Sequence, residues 1–275
     1  PPNGQGLGAL VALGILDRLG LGVHAVNGVA WQHLCIEATR LGLADVAAAV
    51  ADPACMDTTA EALLDPRRLD RLARSVDPRR AAHASGAPPA GPDTVLLAAA
   101  DGDGCMVTLI QSNYLGFGSG IVVPGTGISL QNRGHGFVTD PAHPNAVAPG
   151  KRPLHTIIPG FGTATDGTTP WLAFGMMGAH MQAQGHVQLA ARLAVAGQNP
   201  QAASDAPRWH LFPDGTLGLE ACFDGAVARA LADRGHRLAP TPEEHVFGGA
   251  QLIERIDGGY ACGSDHRKEG CAAVL

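Results

Sequence analysis

The sequence predicts an α+β chain in which β-sheets are stacked between layers of helices. Helical periodicity dominates the first part of the chain, short β-prone runs bounded by Gly or Pro follow, and helical periodicity then returns. Helices and strands are therefore grouped rather than strictly alternating, which favours stacked sheets over a βα barrel. With 275 residues, 45% of them apolar and 16% charged, the chain can bury a large core.

The first predicted elements are three helices. Leu, Ala, Val and Ile recur at helical spacing through residues 7–19 and 31–51. The acidic and hydroxyl residues at 57–59 provide a start signal for a third helix, which we expect to continue to Arg74. Residues 84–92 are rich in Pro, Gly and Ala and lack apolar periodicity, so they predict an exposed linker.

A hairpin is the first predicted β element. Two β-prone runs, 95–100 and 105–111, flank the turn sequence Asp-Gly-Asp-Gly at 101–104. Further strands, two helices and two closing strands complete the expected order. The candidate strands are 120–123, 127–131, 154–159 and 171–176, the helices 183–196 and 223–234, and the closing strands 246–256 and 259–262.

Charge and hydropathy argue against two classes of partner. The net charge is −6 and the basic residues are scattered, so we expect no nucleic-acid partner. Apolar runs are too short to cross a bilayer, so we expect no membrane partner. The six cysteines lie far apart without a C-x-x-C pair, which favours a mostly reduced state. The start at Pro1 reads as truncated, so the compartment stays open, with the cytoplasm favoured slightly over the periplasm.

Histidines and glycines suggest two kinds of site that their spacing does not support. Among twelve histidines there is no H-E-x-x-H, His180 and His186 point to different helical faces, and His33 with Glu37 reads as a structural pair. We therefore expect no metal and no cofactor. The glycine-rich run 116–120 lacks the Lys-Ser/Thr of a phosphate loop and the centred Ser of a nucleophile elbow, so it predicts a tight turn that can border a site.

Thr94 is the candidate nucleophile. It opens a predicted strand directly after the linker. Cleavage of the Asp93–Thr94 bond would give Thr94 a free α-amine, with a pKa of about 7.7–8.0, beside its own hydroxyl, so one residue would supply nucleophile and base. The alternative is that Thr94 only opens a β-strand, and the local pattern does not decide between the two.

A series of motifs favours the catalytic interpretation. Pro-Pro-Asn-Gly-Gln-Gly at 1–6, Glu37-Ala38 and Asp52-Pro53 precede a second series that begins at Thr94 and comprises 94–95, 113–120, 127–133, 148–154, 175–178, 205–208 and 263–267. In order and spacing the chain resembles the γ-glutamyltranspeptidase family of N-terminal-nucleophile hydrolases. The resemblance implies a four-layer αββα sandwich, in which 1–93 is the C-terminal part of the large subunit and 94–275 is the small subunit, together forming one domain.

The resemblance also implies a mechanism. The precursor would cut itself between Asp93 and Thr94, and Thr94 would then attack an amide carbonyl to form an acyl-enzyme. Ser112 occupies the position of a hydroxyl residue that hydrogen-bonds the nucleophile, and the backbone at Gly178 and Ala179 that of the oxyanion hole. Ala179 replaces a glycine of the family pair, which keeps the N–H group but restricts the backbone.

The substrate positions depart from the family pattern. Where transpeptidases hold the glutamyl α-amine and α-carboxylate, this chain carries Tyr114, Arg133, Gly136, His155 and Thr156. An acidic contact is lost and a cation is gained, which suits a small carboxylate-bearing amide gripped by the guanidinium. A surface ion pair is the alternative reading of Arg133.

The expected function is therefore an autoprocessed amide hydrolase, most similar to the oxamate amidohydrolase-like members of the family. Glutathione hydrolysis with γ-glutamyl transfer, a cephalosporin acylase-like activity and a non-catalytic role are the alternatives. The expected partners are the small amide substrate, the remainder of the large subunit upstream of Pro1, and a second cleaved protomer in a heterotetramer.

Overall fold

A computed structural model describes residues 3–82, 94–240 and 242–274. Its helices and strands follow the grouped order that the sequence predicts, and every strand pair is antiparallel. The elements are α1 Gly6–Leu19, α2 Val29–Ala49, α3 Ala60–Leu63, α4 Pro66–Ser75, β1 Val95–Ala100, β2 Met106–Gln111, β3 Pro159–Thr163, β4 Pro170–Met177, α5 Met181–Ala190, α6 Pro200–Asp205, β5 Trp209–Leu211, β6 Leu217–Leu219, α7 Gly225–Asp233, β7 Gly249–Ile256 and β8 Gly259–Ser264. The fold class is α+β.

The central sheet has four strands in the order β3-β4-β7-β8. Alternate side chains of β4, namely Leu172, Phe174 and Met176, are buried in one apolar cluster with Met181 and Leu189 of α5. Because side chains alternate across a strand, these three residues lie on one face of the sheet. That face is therefore covered by α5.

The β1–β2 hairpin covers the other face of this sheet. Its register runs from Val95 opposite Gln111 to Ala100 opposite Met106. Leu96 is buried directly over the Cα of Gly175, where an added Cβ would lie only 2.8 Å from the leucine side chain. The Thr108 hydroxyl on β2 donates to the Gly160 carbonyl on β3 at 2.8 Å. Two sheets are thus stacked, with helices outside the larger one.

The long helices α1 and α2 form the outer layer beyond α5. They cross closely at Gly8 and Gly42, where a Cβ added to Gly42 would lie 2.1 Å from the Gly8 carbonyl oxygen. Their fully buried side chains, such as Val11 and Ile15, belong to one core with Val187 of α5. The helical first part of the chain therefore shares one core with α5 and the β5–β6 pair, while the buried side chains of the central sheet form a second cluster.

The prediction of one continuous third helix is wrong. Residues 60–75 form two helices, α3 and α4, that are separated at Leu64 and Asp65. Pro66 cannot donate a backbone hydrogen bond and clashes with a preceding helical turn, so it starts a new helix instead of continuing one. The Asp65 carboxylate caps that new helix by accepting from Arg68 N at 2.9 Å.

Four strand predictions need correction. Residues 120–123 and 127–131 form no strand and are joined only by a bridge between Val122 and Ser129. Of residues 154–159 only Pro159 enters a strand, while His155 forms an isolated parallel bridge with Gly4. The strand expected from Val246 starts at Gly249, because a 3-10 turn comes first and Gly248 adopts a φ of 71°. Strand β3, the β5–β6 pair and α6 were not predicted.

The first two helices, the hairpin, β4, α7 and β8 are confirmed to within a few residues. The helix predicted at 183–196 is confirmed in its first part, since α5 ends at Ala190 and a π-helical segment continues it to Val195. The predicted linker at 84–92 lies outside the described residues. No helix in the described part of the chain is both long and apolar enough for a membrane span.

Candidate active site

Thr94 immediately precedes β1 at one end of the hairpin. Because Val95 is paired with Gln111, continuing the antiparallel register places Thr94 opposite Ser112. The Ser112 hydroxyl oxygen accepts a hydrogen bond from Tyr114 N at 2.9 Å, which fixes its side chain just beyond β2. Asp93, the other half of the predicted cleavage site, lies outside the described residues.

Arg133 is a buried cation rather than a surface ion pair. Its side chain is 5% exposed, at the start of a short 3-10 turn that ends at Gly136. The guanidinium donates to the Thr156 hydroxyl at 3.1 Å and to the Ser112 carbonyl at 3.2 Å. Its Cζ lies 5.4 Å from the centre of the Tyr114 ring. Burial lowers the pKa of Arg133.

The charge of Arg133 has no counter-ion within the described ranges. The buried ion pairs there join other arginines, and no described carboxylate lies within 4.0 Å of this guanidinium. Its two neutral acceptors use two of the five N–H donors that an arginine carries. A buried charge without a partner is costly, so an anion beside Arg133 would lower the electrostatic cost of its burial.

Tyr114 lies between Ser112 and the cation in a strained backbone conformation. Its φ is +82°, a value that bulky side chains rarely adopt and that costs on the order of 1–3 kcal/mol. Its hydroxyl is 3.5 Å from His180 Nε2, and burial raises the pKa of the phenol. The surrounding structure thus holds the ring in one place.

His155 and Thr156 reach the site on a segment that pairs with the N-terminal motif. His155 N donates to the Asn3 carbonyl at 2.7 Å, and Gln5 N donates to the His155 carbonyl at 2.9 Å. Burial, followed by the nearby charge of Arg133, lowers the pKa of His155 to about 4. His155 is therefore neutral at pH 7 and does not compete with Arg133 for an anion.

Gly178 and Ala179 form the turn between β4 and α5. Their φ angles are 115° and 50°, so both lie in the left-handed region. A Cβ at Gly178 would lie 3.0 Å from Gly248 Cα, which leaves room only for glycine. Neither N–H group has an acceptor among the described residues, whereas the N–H groups of Met181 and Gln182 are bonded. The turn therefore presents two free backbone donors.

Gln5 and His180 belong to this site although sequence reasoning did not include them. Gln5 is fully buried, and its Nε2 donates to the carbonyls of Thr156 at 2.7 Å and Ala179 at 2.8 Å. Its Oε1 is 3.3 Å from His180 Nδ1. Gln5 lies in the Pro-Pro-Asn-Gly-Gln-Gly motif, which was the one available signal, and His180 had been weighed only as a metal ligand.

The glycine-rich run at 116–120 is confirmed as a tight turn. A Cβ added to Gly118, which has a φ of 77°, would lie 2.5 Å from the Leu130 carbonyl oxygen. The Asn132 side chain brackets the turn by bonding Leu115 N and the carbonyls of Leu115 and Gly118. This turn connects the segment of Tyr114 to that of Arg133.

Two other motifs lie in a buried ion network instead of the site. Arg208 pairs with Asp265, and Arg267 pairs with Glu220 at 2.5 Å and with Asp265 at 3.2 Å. In this network the motifs at 205–208 and 263–267 join α6 and the sheet. Their role is structural.

The predicted structural role of the His33–Glu37 pair agrees with the contacts of these residues. His33 Nδ1 lies 2.8 Å from His236 Nε2, while Glu37 accepts from Arg40 and from Ala82 N. No group of three or more His, Cys, Asp or Glu side chains within 3–82, 94–240 and 242–274 is arranged to hold a metal ion.

Comparisons with known proteins agree on one family. The family model described as gamma-glutamyltranspeptidase matches residues 1–275. An oxamate amidohydrolase proenzyme of Klebsiella pneumoniae is 36% identical over 280 residues, which cover 99% of this chain and 52% of that protein. A glutathione hydrolase-like proenzyme of Bacillus subtilis is 33% identical over 282 residues, which cover 100% of this chain and 53% of that protein.

A solved structure gives the same result. The crystal structure of a cephalosporin acylase from Bacillus halodurans has 44% sequence identity and a TM-score of 0.90, and the match covers 100% of this chain and 50% of that one. The chain thus spans about half the length of these relatives.

Proposed function

The chain belongs to the gamma-glutamyltranspeptidase family, and from that membership we propose that it is part of an autoprocessed amide hydrolase with Thr94 as its nucleophile. Cleavage before Thr94 releases its α-amine. The amine then takes the proton of the Thr94 hydroxyl while the oxygen attacks the amide carbonyl carbon. The C–N bond of the substrate then breaks, its amine leaves with that proton, and water hydrolyses the ester that remains on Thr94.

The geometry around Thr94 supports this assignment. The register of β1 and β2 sets Ser112 beside Thr94, where a hydroxyl can orient the nucleophile. The free N–H groups of Gly178 and Ala179 are suited to the charge that develops on the carbonyl oxygen. Loss of one such donor typically costs about 2.7–4 kcal/mol in the transition state.

Arg133 is buried and has no counter-ion among the described residues, and this observation carries the substrate class. A substrate carboxylate would supply the missing counter-ion and could use the guanidinium donors that remain. Tyr114, His155 and Thr156 would line this anion pocket. We therefore propose a small amide with a carboxylate close to the scissile bond, as in oxamate.

A γ-glutamyl substrate fits less well, because none of the site residues described above has a carboxylate that could pair with its α-ammonium group. Gly136 has no side chain, and Tyr114 is neutral. An acylase-like activity is the second candidate, since this chain is 44% identical to the matched half of the cephalosporin acylase. A non-catalytic role is the least favoured.

We further propose that a polypeptide corresponding to the other half of the relatives completes a four-layer αββα sandwich. The hairpin face turned away from the central sheet carries Val95, Leu97, Val107 and Leu109, which are 47–69% exposed. A second apolar surface, a cavity of about 740 Å³, lies between α1 and the edge strand β3. If that polypeptide packs on both surfaces, it would remove their apolar side chains from solvent.

In this arrangement residues 1–93 and 94–275 are the two sides of the cut within one domain, and two cleaved protomers form a heterotetramer. Packing of α1 on α5 across the proposed cut supports the single domain. Light scattering of a protein as long as the relatives measures the assembly, and a monomer of one uncut chain would contradict it.

N-terminal sequencing and intact-mass measurement of that longer protein test the function. We expect a new terminus at Thr94, hydrolysis of oxamate above that of glutamine, glutathione and a cephalosporin side-chain amide, and loss of cleavage and hydrolysis in Thr94→Ala. Thr94→Ser keeps a hydroxyl nucleophile and should retain part of both. Undiminished hydrolysis by Thr94→Ala would exclude the mechanism.

A further inference from the structure

Gln5 connects the two halves of the candidate site through one side-chain amide. Its nitrogen donates to the Thr156 carbonyl at 2.7 Å and to the Ala179 carbonyl at 2.8 Å, so both amide hydrogens are used. Its backbone N–H also donates to the His155 carbonyl. Two carbonyl acceptors fix which end of the amide is nitrogen, because an oxygen there would face two other oxygens.

Each of these partners belongs to a different part of the site. Thr156 holds the Arg133 guanidinium through its hydroxyl at 3.1 Å. Ala179 carries one of the two free N–H groups and adopts a φ of 50° that an alanine does not favour. The bond from Gln5 constrains the peptide group of Ala179 in this unfavourable conformation. Gln5 therefore sets the distance between the anion pocket around Arg133 and the turn of Gly178 and Ala179, which we call the oxyanion turn.

The third contact of Gln5 orients a ring beside Tyr114. Its Oε1 accepts only if His180 Nδ1, 3.3 Å away, carries the ring proton. Burial lowers the pKa of His180 to about 4, so the ring is neutral at pH 7 and has a single N–H. His180 Nε2 is then an acceptor that faces the Tyr114 hydroxyl at 3.5 Å.

We propose that Gln5 is a positioning residue for amide hydrolysis, which holds the oxyanion turn at Ala179 in register with the Arg133–Thr156 anion pocket and fixes the tautomer of His180. The inference rests on the proposed function for its catalytic readout. Gln5 precedes Thr94, and all its side-chain partners follow Thr94, so this amide also joins the two pieces of a cleaved chain.

The test compares Gln5→Met and Gln5→Glu with a matched control, Gln32→Met. Gln32 is also buried, also precedes Thr94, and also bonds a residue beyond it, since its Oε1 accepts from Trp209 Nε1 at 3.1 Å. None of the site residues named above contacts Gln32. Thermal unfolding of all three variants reports their folding, and Gln5→Glu preserves the shape of the side chain if Gln5→Met does not fold.

We expect both Gln5 variants to lower kcat/KM for oxamate by about 100-fold, through a lower kcat and a higher KM, because a small displacement of a reacting group has effects of that size. Gln32→Met should change kcat/KM less than about threefold. Ring ¹⁵N NMR should show His180 protonated at Nδ1 in the wild type and a tautomer mixture in the Gln5 variants. Equal kcat/KM in the Gln5 variants and Gln32→Met would overturn the proposal.

Failure of the proposed function has a different outcome. If the wild-type protein does not hydrolyse oxamate, calorimetric titration with oxamate measures the pocket alone. Weaker oxamate binding by the Gln5 variants than by Gln32→Met, with the His180 tautomer change, would then support the positioning role. Equal binding, or no binding by the wild type, would reject it.

Discussion

At the scale of single residues, the candidate site surrounds one buried cation with neutral groups. Arg133 contacts a hydroxyl, a carbonyl and a ring face, and the neighbouring His155 is kept neutral by burial and by the guanidinium itself. A neutral surrounding leaves the positive charge available to a ligand. On the proposed function, we expect the charge of the substrate to be the main determinant of its affinity.

Replacement of Arg133 tests that determinant. We expect Arg133→Lys and Arg133→Met to lower kcat/KM for oxamate by about 100-fold or more, because a bidentate charge-assisted contact is lost and a lysine does not reproduce its geometry. The kcat/KM for oxamide, which lacks the carboxylate, should fall less than about fivefold in the same variants. Arg152→Lys is the control, since Arg152 is 62% exposed and pairs with Asp52. Equal losses with oxamate and oxamide would contradict the anchor.

The oxyanion turn gives a second residue-scale prediction. Gly178→Ala should destabilise the fold by about 3 kcal/mol, since it combines a disfavoured φ of 115° with a Cβ 3.0 Å from Gly248 Cα. Ala179→Gly should be within about 1 kcal/mol of the wild type, because relief of left-handed strain offsets the added freedom of the unfolded chain. Urea unfolding measures both, and equal midpoints would show that the turn is not constrained.

The sequence could predict those site residues that carry a family motif or a charge, such as Thr94, Ser112 and Arg133. Gln5 also lies in a family motif, but the sequence could not predict its contacts, because its side chain bonds the carbonyls of residues more than 150 positions away. Backbone carbonyls are the same in every residue, so a bond to one leaves no trace in the sequence. The sequence also cannot show that Arg133 is buried without a carboxylate partner among the described residues.

At the scale of elements, start signals were more reliable than the lengths of the elements they start. The acidic and hydroxyl residues before Ala60 do cap a helix, since Thr59 accepts from Ala62 N at 3.2 Å. That helix ends after one turn because Pro66 begins the next one. The runs at 120–123 and 127–131 had strand-like composition but lie at the surface beside a turn with two positive-φ glycines. A strand-like composition does not show whether a run has a neighbouring strand with which it can form a ladder of hydrogen bonds.

The cap of α4 provides the element-scale prediction. Asp65→Ala removes the acceptor for Arg68 N and should lower the free energy of unfolding by about 1 kcal/mol. Asp65→Asn keeps an oxygen in the same place and should change it by less than about 0.3 kcal/mol. Urea denaturation followed by circular dichroism compares the two. An unchanged urea midpoint in Asp65→Ala would mean that the Asp65 cap does not contribute to the stability of α4.

At the scale of the whole molecule, the grouping of helices and strands predicted the α+β class better than it predicted the bounds of any single element. The early helices α1 and α2 share one core with α5 and the β5–β6 pair. The hairpin packs on the central sheet, where Leu96 lies over Gly175. The sheet order could not be predicted, because β4 pairs with β7 across more than 70 residues. Such non-local pairing depends on the assembled core rather than on local patterns.

That assembled core also buries several ionisable rings, which makes stability depend on pH. Burial lowers the pKa of His180, His186 and His210 to about 4, whereas an unfolded histidine has a pKa of about 6.5. The unfolded chain therefore binds more protons between these values. Stability should be complete above about pH 6.5 and fall as the pH decreases toward 4, by on the order of 1–2 kcal/mol for each ring at pH 5.

Urea unfolding at pH 7 and pH 5 measures this loss in a range where most carboxylates stay ionised. His186→Gln should lose less stability than the wild type between these two pH values, since one buried ring no longer takes up a proton on unfolding. His245→Gln removes an exposed histidine and should leave the difference unchanged. If the wild type is equally stable at both pH values, the rings are not held neutral by burial, and the neutral surroundings inferred for Arg133 would be wrong as well.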